Sequence, residues 1–159
     1  MAKSNDELLK DLAHRKAQTE QKEREDKAEA DRIAQAIEQR RKRQEDGWNR
    51  VCAIFNEEVE HTNIKLVPLG PRLTFEEDIT QRDHPQPWIL RFIGEIKNIQ
   101  ASYQLPVCPR LDESIEVSIY NSASRASVEQ RAYEDADMIT AEEARSLINL
   151  LLNYAVNGG

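Results

Sequence analysis

Trp88-Ile-Leu-Arg-Phe-Ile-Gly-Glu-Ile-Lys-Asn-Ile-Gln-Ala-Ser-Tyr-Gln-Leu105 is the stretch whose reading decides the fold. Successive side chains of a strand point to opposite faces of its sheet, so apolar residues at every second position mark a strand with one buried face. Trp88, Leu90, Phe92 and Ile96 fall on one face, with Arg91 and Glu95 opposite. Ile99, Ala101, Tyr103 and Leu105 then alternate with Gln100, Ser102 and Gln104. Between the two runs, Lys97-Asn98 predicts a hairpin turn, because asparagine tolerates the left-handed backbone region. Two half-wet strands joined by a tight turn pair antiparallel.

Outward from this hairpin the pattern continues. Ile115, Val117 and Ile119 alternate with Glu116, Ser118 and Tyr120, and Val128–Tyr133 is a weaker strand candidate. Upstream, Ile64–Val67 and Leu73–Glu76 read as short strands joined by the turn sequence Pro68-Leu-Gly-Pro71. Before them, Trp48, Val51, Cys52, Phe55 and Val59 share one face of an amphipathic helix, and Glu57, Glu58 and Glu60 are expected to point elsewhere. The chain closes on Thr140-Ala-Glu-Glu143, a capping box, followed by the helical stripe Ala144, Leu147, Ile148, Leu151 and Ala155, with Gly158 as its stop. These elements predict an α+β fold. A long N-terminal charged helix precedes an antiparallel five- or six-stranded sheet with two helices packed on one face. A small barrel capped by the last helix is the alternative topology.

Residues 1–46 differ from the rest. From Ala13 to Arg32 there is no Leu, Ile, Val, Met, Phe, Tyr or Trp, and no Gly or Pro appears between Ser4 and Asp46. Strong helix formers dominate, Ser4-Asn-Asp-Glu7 is a second capping box, and acid-before-base pairs recur four residues apart. Those pairs are Asp6–Lys10, Asp11–Arg15, Glu20–Arg24, Glu23–Lys27 and Glu38–Lys42, each contributing about 0.2–0.5 kcal/mol on an exposed helix. The stretch is thus a charged helical arm, a coiled coil or docking helix, with Asp46-Gly47 expected to break or bend the helix before a compact domain at 47–159. Against a self-sufficient coiled coil, the heptad seam lacks large apolar residues through its middle. In favour of docking, Leu8, Leu9 and Leu12 cluster at the tip and Ile33, Ala34 and Ile37 near the base.

Charge and composition narrow the function. A net charge of -7 leaves no dominant basic field for phosphates, so nucleic acid is an unlikely partner. The run Arg40-Arg41-Lys42-Arg43 is flanked by Glu38, Glu45 and Asp46 and lacks aromatic stacking partners. No run of 18 apolar residues predicts a membrane span, and MAKSNDELLKDL lacks the apolar core of a secretory signal. A cytoplasmic chain with reduced Cys52 and Cys108 is the expectation.

Motifs of catalysis are sparse. Glu58-x-x-His61 has a spacing used in di-iron bundles, which need two such motifs and further glutamates. Asp83-His84 lies in a proline-flanked loop, where adjacent side chains diverge. No nucleophile elbow or phosphate-binding glycine loop is present, so no catalytic residue, cofactor or metal is assigned. On the face expected to be wet, where Glu95 and Arg131 are also placed, Ile89, Arg91, Ile93, Tyr120 and Tyr133 resemble an interaction surface. With Leu8, Leu9 and Leu12 they are the candidate partner-binding residues. The reading is a non-enzymatic protein-interaction or assembly module, binding a protein partner or itself. A ligand-binding or catalytic domain is the alternative, its pocket between sheet and helices near Tyr103, Cys108 and Tyr154. A nucleic-acid-associated protein is the second alternative.

Overall fold

Helix α1 spans Asn5–Leu66 and passes through Gly47 without interruption, in a computed structural model that describes residues 2–80, 85–94 and 102–158. Contacts divide the chain into two compact units, Met1–Lys42 and Arg43–Gly159. The first consists of helix alone. Its start is a complete capping box: the Ser4 amide donates to Glu7 Oε2 at 3.1 Å, and the Glu7 amide donates to Ser4 Oγ at 3.3 Å.

The expected break at Gly47 is corrected. Glycine is a weak helix former, but this one is buried, and a Cβ added there would lie 3.0 Å from the Ala136 Cβ. The missing side chain serves a close approach within the second unit and does not end the helix. The expected strand at Ile64–Val67 is corrected too. Those residues end α1 and enter a 3-10 turn, Val67–Leu69, and Ile64 is 73% exposed. A residue that buries nothing gains nothing from a strand, so the helix runs on until Pro68 and Gly70 stop it.

In the second unit, β1 (Arg72–Glu77), β2 (Trp88–Ile93), β3 (Tyr103–Pro109), β4 (Ile115–Asn121) and β5 (Ala126–Tyr133) form a meander, each antiparallel to its neighbour. The order β1-β2-β3-β4-β5 is that of an open sheet, with no β1–β5 pairing among the described residues. Helix α2 spans Ala141–Asn157. Ile96, Ile99 and Ala101 and the turn at Lys97-Asn98 lie outside the described residues. Beyond them β3 continues past Leu105 to Pro109, although prolines normally argue against a central strand. Its pairing with β4 skips Leu105 and Pro106 and resumes at Val107.

One face of the sheet makes the core. Leu73, Phe75, Leu90, Phe92, Tyr103, Leu105, Val107, Ile115, Val117 and Ile119 join the helical stripes of α1 and α2 in a single apolar cluster. Phe55 of α1 stacks tilted on Phe75 with ring centroids 5.1 Å apart, and Phe75 on Trp88 at 4.9 Å. Both helices therefore cover the same face, as their stripes predict. Thr140 caps α2 by accepting from the Glu143 amide at 3.2 Å, and Gly158, at φ 74°, ends it by donating to the Tyr154 carbonyl. At the end of α1, the Asn63 side chain donates to the Leu73 carbonyl at 2.9 Å and accepts from the Leu73 amide at 2.7 Å.

Candidate functional site

Alternation along each strand assigns every candidate residue to a face. Leu90 and Phe92 point into the core, which sends Ile89, Arg91 and Ile93 to the opposite side. Cross-strand register then builds a row: Thr74 pairs with Arg91, Arg91 with Gln104, and Gln104 with Tyr120. Arg91 and Tyr120 thus stand two strands apart, about 10 Å. Ile93 is 43% exposed, Arg91 and Tyr120 are half-buried, and Ile89 is buried although it lies outside the core cluster. Neither helix covers this face, since both stripes belong to the core cluster on the other.

Tyr133 does not belong there, and the grouping with Tyr120 is corrected. Tyr133 pairs with Ile115, and Arg131 with Val117, so both sit on the helix-covered face. A register shift between Ile119 and Tyr120, with Val128 as the extra residue on β5, hides this from a simple count of positions. There they form a polar clamp on α2. The Tyr133 hydroxyl donates to Glu143 Oε1, Arg131 Nη1 lies 3.4 Å from the same oxygen, and the Tyr154 hydroxyl donates to Glu129 at 3.1 Å. Burial, reinforced by the Glu143 carboxylate, pushes the Tyr133 phenol up to about 12. At neutral pH it is a fixed donor and not a base.

Another clamp escaped the sequence reading. Glu58 is 4% exposed, turned inward, and accepts from Arg145 Nε at 3.1 Å and Nη2 at 3.2 Å. The signal was present in the spacing: Glu58 stands three residues after Phe55 and seven after Val51, on the apolar stripe itself. Arginine thereby occupies both oxygens of the carboxylate in Glu58-x-x-His61, and His61 is exposed. Among the described residues no three His, Cys, Asp or Glu side chains gather as a metal site.

Between sheet and helices, where a pocket is expected, the described residues form the apolar core. The gap bounded by Leu105, Val117, Leu147 and Leu150 holds about 10 Å³. Tyr103 and Tyr154 stack with ring centroids 5.4 Å apart, but Cys108 pairs with Glu116 on the open face and does not join them. Cys52 is buried, and burial, with Glu77 nearby, pushes its thiol up to about 12, which leaves it inert at neutral pH. A shallow cleft of about 510 Å³ opens instead between the α1 segment around Gly47, the Glu113–Ile115 turn and the Asp135–Asp137 turn. Arg50 and Asp137 already close an ion pair at its wall, 2.6 Å apart.

In the first unit every described residue but the half-buried Asp11 is exposed. Leu8, Leu9, Leu12, Ile33 and Ile37 are between 49% and 63% exposed. Leu8 and Leu9 stand four and three residues before Leu12, so the three leucines form one stripe. Ile33, Ala36 and Ile37 form a second patch, bordered by Arg32 and Arg40. Of the five expected ion pairs spaced by four, Glu20–Arg24 forms at 3.9 Å. Glu38 turns to Arg41 at 2.7 Å, whose hydrogen bond and charge hold the carboxyl below its usual range. Among the described residues no helix is long and apolar enough to cross a membrane. No protein-family model, curated protein or solved structure matches this chain.

Proposed function

We propose that this chain is a non-enzymatic protein-interaction or assembly module, in which the arm supplies the contact and the α+β unit is a stable body that carries it. The observation that supports this most is the arm's five exposed aliphatic side chains on a helix with no core of its own. Exposed aliphatic groups add little to an isolated helix, whereas burying Leu8, Leu9 and Leu12 contributes on the order of 4–9 kcal/mol before ordering costs. The sheet face opposite the helix stripes, with Ile93, Arg91 and Tyr120, is a second surface of the same character.

The ligand-binding alternative keeps one supporting observation, the cleft beside Gly47. Nucleic-acid binding keeps only the Arg40–Arg43 run, where Arg41 pairs with Glu38 and Arg43 lies 3.8 Å from Glu113. The test is the triple change Leu8→Ser, Leu9→Ser, Leu12→Ser in the full chain. It is expected to reduce self-association or partner recovery while the melting temperature of the α+β unit stays within about 1 °C. An unaltered mass in solution together with an unaltered set of co-purifying proteins would refute the assembly reading.

A further inference from the structure

The two apolar patches of the arm share one heptad phase although a polar stretch separates them. Leu9, Ala30 and Ile37 are 21 and 28 residues apart, whole multiples of seven, and so are Leu12 and Ile33. With Leu9 at position a and Leu12 at d, the seam reads Leu9, Leu12, Lys16, Thr19, Glu23, Asp26, Ala30, Ile33. A strict seven-residue repeat keeps such a seam aligned along a supercoil. All of these residues are helical in α1, and all are exposed.

The polar centre selects a direction. A parallel, in-register partner would set Lys16 on Lys16, Glu23 on Glu23 and Asp26 on Asp26, three like-charge layers. Reversing the second copy so that Leu9 meets Ile33 changes every layer: Leu12 meets Ala30, Lys16 meets Asp26, and Thr19 meets Glu23, each twice by symmetry. Flanking the seam, Arg15 comes opposite Glu29, also twice, while Lys22 and Glu20 each meet their own copies at the centre. Lys16 and Asp26 form no ion pair within the chain among the described residues, so both are available for this one.

We propose that the arm pairs with the arm of a second copy as an antiparallel two-stranded coiled coil, with Leu9 against Ile33 and Lys16 against Asp26. This rests on the assembly reading and specifies its partner. Polar layers at the centre limit affinity and fix register and direction.

Charge reversal tests it in the full chain by sedimentation equilibrium. Lys16→Glu and Asp26→Lys, made singly, are each expected to weaken self-association at least about tenfold, and the double variant to return within about threefold of the original. Helix content from circular dichroism should be the same in all four proteins, because these positions are exposed. A chain that self-associates but ignores both reversals, or a double variant weaker than either single one, overturns the antiparallel pairing and leaves the assembly reading standing. A chain that stays monomeric at about 100 µM overturns self-pairing. The assembly reading then stands or falls on partner recovery with the leucine-to-serine variant.

Discussion

Helix α1 contains two regions made by different forces. Before Lys42 its residues are almost all exposed, and from Gly47 to Val59 seven are buried, including Val51 and Phe55 at 0% exposure. The first stretch is a helix because Ala, Glu, Lys, Gln and Arg favour it locally, with a complete capping box at its start. The second is a helix because it covers a sheet, and it keeps a glycine that local preference disfavours and a glutamate whose burial Arg145 compensates. Regular secondary structure thus says little about where stability resides. A side chain on the second stretch is held by the core, and one on the first is free to be held by another molecule.

The largest expected effect tests that contrast directly. Phe55→Ala removes a fully buried ring in contact with Phe75 and should destabilise the α+β unit by about 3–5 kcal/mol in denaturant titration. Leu9→Ala, on the same helix, should change stability by about 0.5 kcal/mol or less. Equal losses would break the comparison. Glu58→Ala comes next, with an expected loss of about 1–2 kcal/mol, because a buried, twice hydrogen-bonded carboxylate is removed. Exposed Glu57→Ala serves as its reference. Within the α+β unit the smallest loss is expected for Tyr133→Phe, about 1 kcal/mol at neutral pH for one lost hydrogen bond.

Alkaline pH sharpens the last case. The Tyr133 phenol titrates near 10 when unfolded and at about 12 when folded, so between these values the folded chain holds a proton that the unfolded chain has lost. Its contribution is complete below pH 10 and disappears as pH rises toward 12. The stability difference between the original protein and Tyr133→Phe should therefore shrink across that window. Cys52 titrates in an overlapping range, and comparing the two proteins cancels it. An unchanging difference would mean that the clamp does not hold the neutral phenol.

Period-two alternation was enough to find β2, β4 and the core-facing Tyr103 and Leu105, and helical stripes were enough to place α1 and α2 on the same face. What sequence spacing could not supply was anything set by a third dimension. Gly47 reads as a breaker until Ala136 is seen against it. Tyr133 and Tyr120 seem to share a face until the extra residue at Val128 is counted. Glu58 looks solvent-bound until Arg145, 87 positions away, reaches it. Of the candidate residues, Leu8, Leu9, Leu12 and Ile93 were legible as exposed apolar groups interrupting a polar pattern, and Arg91 and Tyr120 as to face by alternation. Ile89 was legible as to face but not burial.

Asn63 carries a consequence for the sheet's outer margin. β1 is a terminal strand, and terminal strands present unpaired amides and carbonyls on which another chain can template itself. By donating to and accepting from the two backbone groups of Leu73, the Asn63 carboxamide imitates a strand neighbour at that one residue. A foreign strand cannot dock alongside β1 at Leu73 without first expelling it. At Leu73 the sheet's margin therefore offers no unsatisfied backbone group, because a side chain of the preceding helix has already taken both.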